Sequence, residues 1–496
     1  MRTWLIGLAL LAALATPAVA APATAEPGAE LRLEHSCDLT ASLFWLLSAL
    51  TGDPFIEGKA WLAWWQGEGM EQPGDAALLA EFGRLKATYR GRLIDAKARE
   101  NRWVPVPPPP GSRLDVRFAA LFLGARDLAD LDRRAEVLLT EADQAALHAV
   151  TAAYAPRLQM LLDKNSWLAK FNSDFAEFSR NSQMNPFLQR VGRWLGAAPG
   201  GRMRLHFVPA PPSAVSHGRR LGQDLVVEVR QGDTPARRSD VVVHEAVHWL
   251  QERAGLDDDP ALIGALFSQP GDTAARAWEL LGEGTATAIG QGVWQAKAAP
   301  KEFADSRARS GGWYVDANID PFAKALYPSL AAALEGDGSL RDLAAELNRA
   351  AAATPAPQKL ADILHRYVLI SDHRDAPWLQ AAWWQQVPPR SVWRADLAEA
   401  ASWADRCQGT TVVALATAAE WQALGAKDRA KLGGECGKLA GSKRAAVCSA
   451  PRAGGARTLV VVAPDTTSLS AALLALTRGP LPAWGWSEPP RAAAAR

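Results

Sequence analysis

Residues 241–255 read VVVHEAVHWLQERAG. Three valines open the stretch, and β-branched residues suit a strand as readily as a helix. The flanking signals favour a helix over 241–253: Ser239 or Asp240 can cap its start, Gly255 follows its last turn, and Val242, Val243, Val247 and Leu250 form an apolar face. In such a helix His244 and His248 lie one turn apart, about 40° around the axis. Both imidazoles then leave one face, the arrangement that two nitrogen ligands of a single metal ion require. Glu245 sits too far round to be a third ligand, yet it can reach a water held at that face, where it would serve as general base.

A catalytic metal site needs a third protein ligand and an open position. The metzincin continuation is excluded, because Gln251 and Ala254 occupy the places of its glycine and third histidine. Downstream, DTAARAWELLGEGTATAIGQGVW (272–294) reads as a second helix capped by Asp272. Its small residues Gly282, Gly284, Ala286 and Gly290 allow close approach to a neighbour, and it presents Glu279 and Glu283 four apart on one face.

HEAVH followed, 35 residues after His248, by Glu283-Gly284-Thr285-Ala286 resembles the gluzincin pattern of zinc peptidases over about 203–334. The resemblance implies a zincin-like domain in which His244, His248 and Glu283 hold Zn2+, with Glu279 as the alternative third ligand. It assigns Glu245 to taking a proton from water and delivering it to the leaving amine. A strand just before the metal helix, in the run QDLVVEVR (223–230), is similar to the edge strand on which that family aligns an extended peptide. A tyrosine or histidine downstream of the third ligand should stabilise the oxyanion; the candidates are Tyr314, Tyr327, His365 and Tyr367, with Tyr327 preferred. The chain departs from thermolysin-like enzymes at Thr287, where they carry an aspartate that orients a histidine, so support for the imidazoles is unassigned.

The rest of the chain frames this site. MRTWLIGLALLAALATPAVA (1–20) reads as a secretory signal peptide, with Ala18-Val19-Ala20 as its cleavage site. No later run is apolar for the roughly 18 residues that a membrane span needs. An exported, periplasmic or secreted protein with no integral membrane segment after cleavage is expected. Lys and Arg number 54 against 53 Asp and Glu, so nothing recommends nucleic acid as a partner; the resemblance implies a peptide or protein substrate. Of the four cysteines, Cys436 and Cys448 are the expected local disulfide, leaving Cys37 for Cys407.

Region 21–196 reads as helical, with Trp61, Trp64 and Trp65, then Leu79, Phe82, Leu85 and Tyr89, at helical spacing; VPVPPPPG (104–111) interrupts it as a stiff connection. The twenty tryptophans are dispersed, which suits packing rather than a binding surface. The runs RLHFVPA and QDLVVEVR read as strands at the start of a metallopeptidase domain over 197–385. QVPPRS (386–391) reads as a linker to a small α/β domain over 392–496, where TTVVALA and RTLVVVAP are strands and the region 418–432 and SLSAALLALT are helices. The expected fold class is α+β: a zincin-like catalytic domain of small sheet and active-site helices, a helical N-terminal region and a small α/β C-terminal domain. Two other functions fit the same residues, a non-enzymatic periplasmic binding or scaffold protein and a zinc amidase acting on cell-wall material.

Overall fold

The computed structural model describes residues 30–53, 56–90, 114–214, 217–256, 259–364, 366–373, 376–379, 383, 391–406, 409–432, 435–438, 444–483 and 485–487. The signal-peptide reading, the proline run at 104–111, Cys407 and His365 lie outside them, as does all but the last residue of the 386–391 linker. The protein is mixed α and β, mostly helical, with two small mixed sheets. No described helix is long and apolar enough to cross a membrane.

The first sheet has the order β1-β2-β4-β3, from β1 (Leu31–Ser36), β2 (Gly201–Pro209), β3 (Gly218–Leu221) and β4 (Asp224–Val229). The first three in that order run parallel and β3 is an antiparallel edge, with Leu33 opposite Met203, Leu205 opposite Leu225, and Arg219 opposite Val226. Because strand side chains alternate between faces, Met203, Leu205, Phe207, Leu225, Val227 and Val229 enter one core, while Val208, Leu221 and Val226 enter another.

The second of these cores belongs to helices α1 (Leu39–Leu50), α2 (Gly58–Gly67), α3 (Asp75–Arg90), α4 (Leu114–Leu123), α5 (Leu128–Leu138) and α6 (Glu141–Lys164). Trp61, Trp65, Phe82, Leu85 and Tyr89 are buried there, as their spacing predicts. Buried Glu228 accepts the indole N–H of Trp45 at 2.7 Å and of Trp61 at 3.0 Å, pinning α1 and α2 to β4. The N-terminal region also reaches across the sheet: β1 pairs with β2, and α7 (Trp167–Asn181) and α8 (Met184–Leu195) pack into the other core with the helix carrying HEAVH.

One buried ion pair locks the N-terminal helices together. Arg157 of α6 donates to both carboxylate oxygens of Asp75 at 2.8 Å, and its guanidinium lies 4.4 Å from the centre of the Tyr154 ring and 5.4 Å from that of Trp65. Removing one member of such a pair strands the other charge, so Arg157→Met is expected to cost about 3–5 kcal/mol in denaturant unfolding. Burial alone would raise the Asp75 pKa; the hydrogen bonds from Arg157 and the Gln72 N–H outweigh it and hold the group below 3.8. A depressed folded pKa contributes stability above the ordinary carboxylate range that is lost as pH falls through the folded value. The penalty of Arg157→Met should therefore be full at neutral pH and shrink in acid.

The second sheet has the order β10-β8-β9-β7-β5-β6, from β5 (Arg366–Ile370), β6 (Ser391–Ala395), β7 (Thr411–Thr417), β8 (Ala446–Pro451), β9 (Arg457–Ala463) and β10 (Gly485–Ser487). It thus recruits β5 from ahead of the expected linker. The helix expected over 418–432 is two, Ala418–Ala423 and Ala426–Lys431, parted at Leu424-Gly425. Cys436 and Cys448 form the expected disulfide; Cys37 has no disulfide partner among the described residues, and its expected partner Cys407 lies outside them.

Candidate metal centre

The HEAVH helix, α9 (Pro235–Arg253), starts six residues earlier than its sequence suggests. Thr234 caps it by accepting the Arg237 N–H, and Pro235 occupies the first turn, where its missing donor costs nothing. Ser239 is not the cap: its hydroxyl donates to the Ala236 carbonyl at 2.7 Å and accepts Trp294 Nε1 at 2.8 Å. The valines are helical, with Val242 and Val243 fully buried against the first sheet.

Behind α9 lies α11 (Ala274–Thr287), whose N-cap position is held by Thr273 rather than Asp272, without a side-chain capping bond, and which is continued by a π-helical turn, Ala288–Trp294. The α10 helix (Pro260–Phe267) joins the two. Several bonds clamp α9 to the α11–π segment in antiparallel fashion: Gln251 to the Gly282 carbonyl (3.0 Å) at one end, Trp294 to Ser239 and Gln295 to Asp240 (3.4 Å) at the other. Between them Gly290 permits the close approach, since a Cβ there would stand 2.7 Å from the Asp240 carbonyl and 3.1 Å from His244 Cβ. Irregular π turns recur at functional sites.

This packing brings three donor atoms together. His244 Nε2 lies 3.1 Å from His248 Nε2, and the Glu283 Oε2 atom is 3.4 Å from the first and 3.5 Å from the second. They form the one group of at least three potential ligands that could hold a metal ion among the described residues. His244 is buried, and His248 and Glu283 are half-buried. Burial alone would lower the His248 pKa, but the adjacent Glu283 carboxylate overrides it and raises the value. Desolvation pushes Asp240, one turn before His244, up to about 6 against the pull of Arg238.

Glu245 is buried and leans on the edge strand: a Cβ at Gly218 would lie 2.9 Å from its Cγ and 3.2 Å from Oε1. Glu279 is not part of the cluster. Its Oε1 accepts from Thr411 at 3.1 Å and its Oε2 faces Arg276 at 3.6 Å, so it ties α11 to the second sheet.

Among the oxyanion candidates, Tyr327 of α13 (Ile319–Glu335) packs its ring on Phe303, a residue of α12 (Pro300–Ala308), and on Trp313, under Arg307. Tyr367 is buried in the second sheet, accepting Trp383 Nε1 at 2.7 Å. Tyr314 is the tyrosine beside the cluster, its ring stacked on His244 at 5.8 Å and 26°. Its loop is held by buried Asp320, which accepts the backbone N–H groups of Gly311, Trp313 and Tyr314 at 3.0, 2.9 and 3.3 Å.

Thr287 is buried and its hydroxyl has no hydrogen-bond partner, nor has His244 Nδ1, among the described residues. The supporting contact that sequence reasoning missed belongs to His248, whose Nδ1 lies 3.0 Å from Gln251 Oε1. Its signal was the i,i+3 spacing on α9. No protein-family model, no curated protein and no solved structure matches the chain.

Proposed function

We propose that the chain is an exported zinc-dependent peptidase of gluzincin type, with a zincin-like domain in which His244, His248 and Glu283 are the metal ligands and Glu245 is the general base. The spacing of the donor atoms carries this reading. A tetrahedral zinc ion with bonds of about 2.0–2.1 Å keeps its ligands roughly 3.3–3.4 Å apart. The three separations here are 3.1, 3.4 and 3.5 Å. Two imidazoles and one carboxylate are also the donor set of many zinc hydrolases.

When bound, zinc supplies Lewis acidity that polarises a scissile carbonyl and eases the deprotonation of water. The chain's own residues do the remainder. Glu245 takes the proton of the attacking water on its carboxylate and passes it to the leaving nitrogen. An extended peptide can pair with the side of β3 that no described strand occupies; its first residue, Gly218, touches Glu245. That pairing would align a backbone carbonyl with the cluster. The phenol of Tyr314, held by its stacking on His244, would donate a hydrogen bond to the oxyanion as it forms.

The test is substrate conversion by the purified full chain with zinc. Fluorogenic peptides and casein should be cleaved, with activity lost to a chelator and restored by zinc. Cleavage of peptidoglycan alone would replace the peptidase with a cell-wall amidase, and no turnover of either would favour a binding or scaffold protein. Tyr314→Phe should lower kcat about 10²-fold with little change in KM. Tyr327→Phe should leave kcat unchanged.

A further inference from the structure

We propose that Gln251 is a positioning residue that fixes both the proton of His248 and the spacing between the two ligand-bearing helices, an inference that rests on the metal-centre reading above. The Gly282 carbonyl can only accept, so the group facing it at 3.0 Å must be the Gln251 amide nitrogen. The amide oxygen is then turned towards His248 Nδ1, 3.0 Å away. An oxygen acceptor there requires a proton on Nδ1, which leaves the lone pair of the neutral ring on Nε2, the atom that faces His244 and Glu283. Flipping the amide would set oxygen against oxygen at Gly282, so a single orientation satisfies both contacts.

The same side chain acts on the second helix. Gly282 immediately precedes Glu283, so the bond to its carbonyl holds the turn of α11 from which the third ligand projects. A ring of contacts results: His248 to Gln251, Gln251 to Gly282, and Glu283 back to His248. Gln251 is 7% exposed, so water does not compete well for either bond. The other imidazole has no such support, since His244 Nδ1 lacks a hydrogen-bond partner among the described residues.

Two substitutions separate the roles. Gln251→Leu removes both bonds, whereas Gln251→Glu keeps an acceptor for Nδ1–H and loses the donor to Gly282. Zinc affinity of the full chain is measured by competition with a chromophoric chelator, with folding monitored by circular dichroism. Gln251→Leu should weaken zinc binding about 10–100-fold, and Gln251→Glu should recover part of that loss. Nitrogen-15 spectra of the metal-free protein at alkaline pH, where the imidazole is neutral, should show His248 protonated on Nδ1 in the wild type and a mixture in Gln251→Leu. A folded Gln251→Leu chain that binds zinc as tightly as wild type, or a wild-type His248 protonated on Nε2, would overturn the role of Gln251. A wild-type chain that takes up no zinc overturns the metal-centre reading instead.

Discussion

Glu245→Gln is expected to abolish most peptide hydrolysis while leaving zinc in place. General base catalysis contributes about 10²–10⁴-fold, or roughly 3–5 kcal/mol of barrier, and kcat/KM should fall by that factor. The amide is nearly isosteric with the carboxylate, so it fits the same space against Gly218, and Glu245 lies outside the trio of donor atoms. Metal content should therefore stay near one zinc per chain. Unchanged hydrolysis in a zinc-loaded Glu245→Gln protein would remove Glu245 from the mechanism.

The second large effect belongs to Glu283. Glu283→Ala should strip the protein of zinc on dialysis, because two imidazoles alone do not complete a structural or catalytic site. Its side chain is 18% exposed at the surface of the cluster, so truncation should leave the fold intact. Glu279→Ala is the informative partner. That residue stands one turn earlier on the same helix but binds Thr411 and faces Arg276, so its loss should lower stability and spare the metal. Metal analysis of both variants decides between them: zinc retained in Glu283→Ala and lost in Glu279→Ala would invert the assignment.

Local chemistry made part of this readable from sequence. The i,i+4 histidines, the helix that carries them and the small-residue stretch around Glu283 follow from helical periodicity, and the short range of Cys436–Cys448 made that disulfide accessible. Features set by distant partners were hidden. Strand β1 lies far along the chain from its partner β2, and β3, GRRL, is short and basic with no apolar alternation to mark it. The first helix turn of α9 is polar, so only Thr234-Pro235, read as a cap and first-turn proline, would have placed its start.

Within the site the same division holds. Tyr327 sits on a helix, whereas Tyr314 lies in a loop whose course depends on three backbone bonds to Asp320. Gln251 entered the sequence reading only as an obstacle to the metzincin pattern. Its contact with Gly282 requires knowing that α9 and α11 run antiparallel and close. The π turn is likewise a property of the packed pair, whereas Gly290, which lets the helices approach, is legible in the sequence as one of a run of small residues.

The most direct measurement is anomalous diffraction at the zinc absorption edge from crystals of the full chain grown with zinc. One peak about 2.0–2.2 Å from His244 Nε2, His248 Nε2 and a Glu283 carboxylate oxygen is the expected result. A map with no peak there, or with the Glu283 carboxylate turned to solvent, would contradict the metal centre and the peptidase built on it.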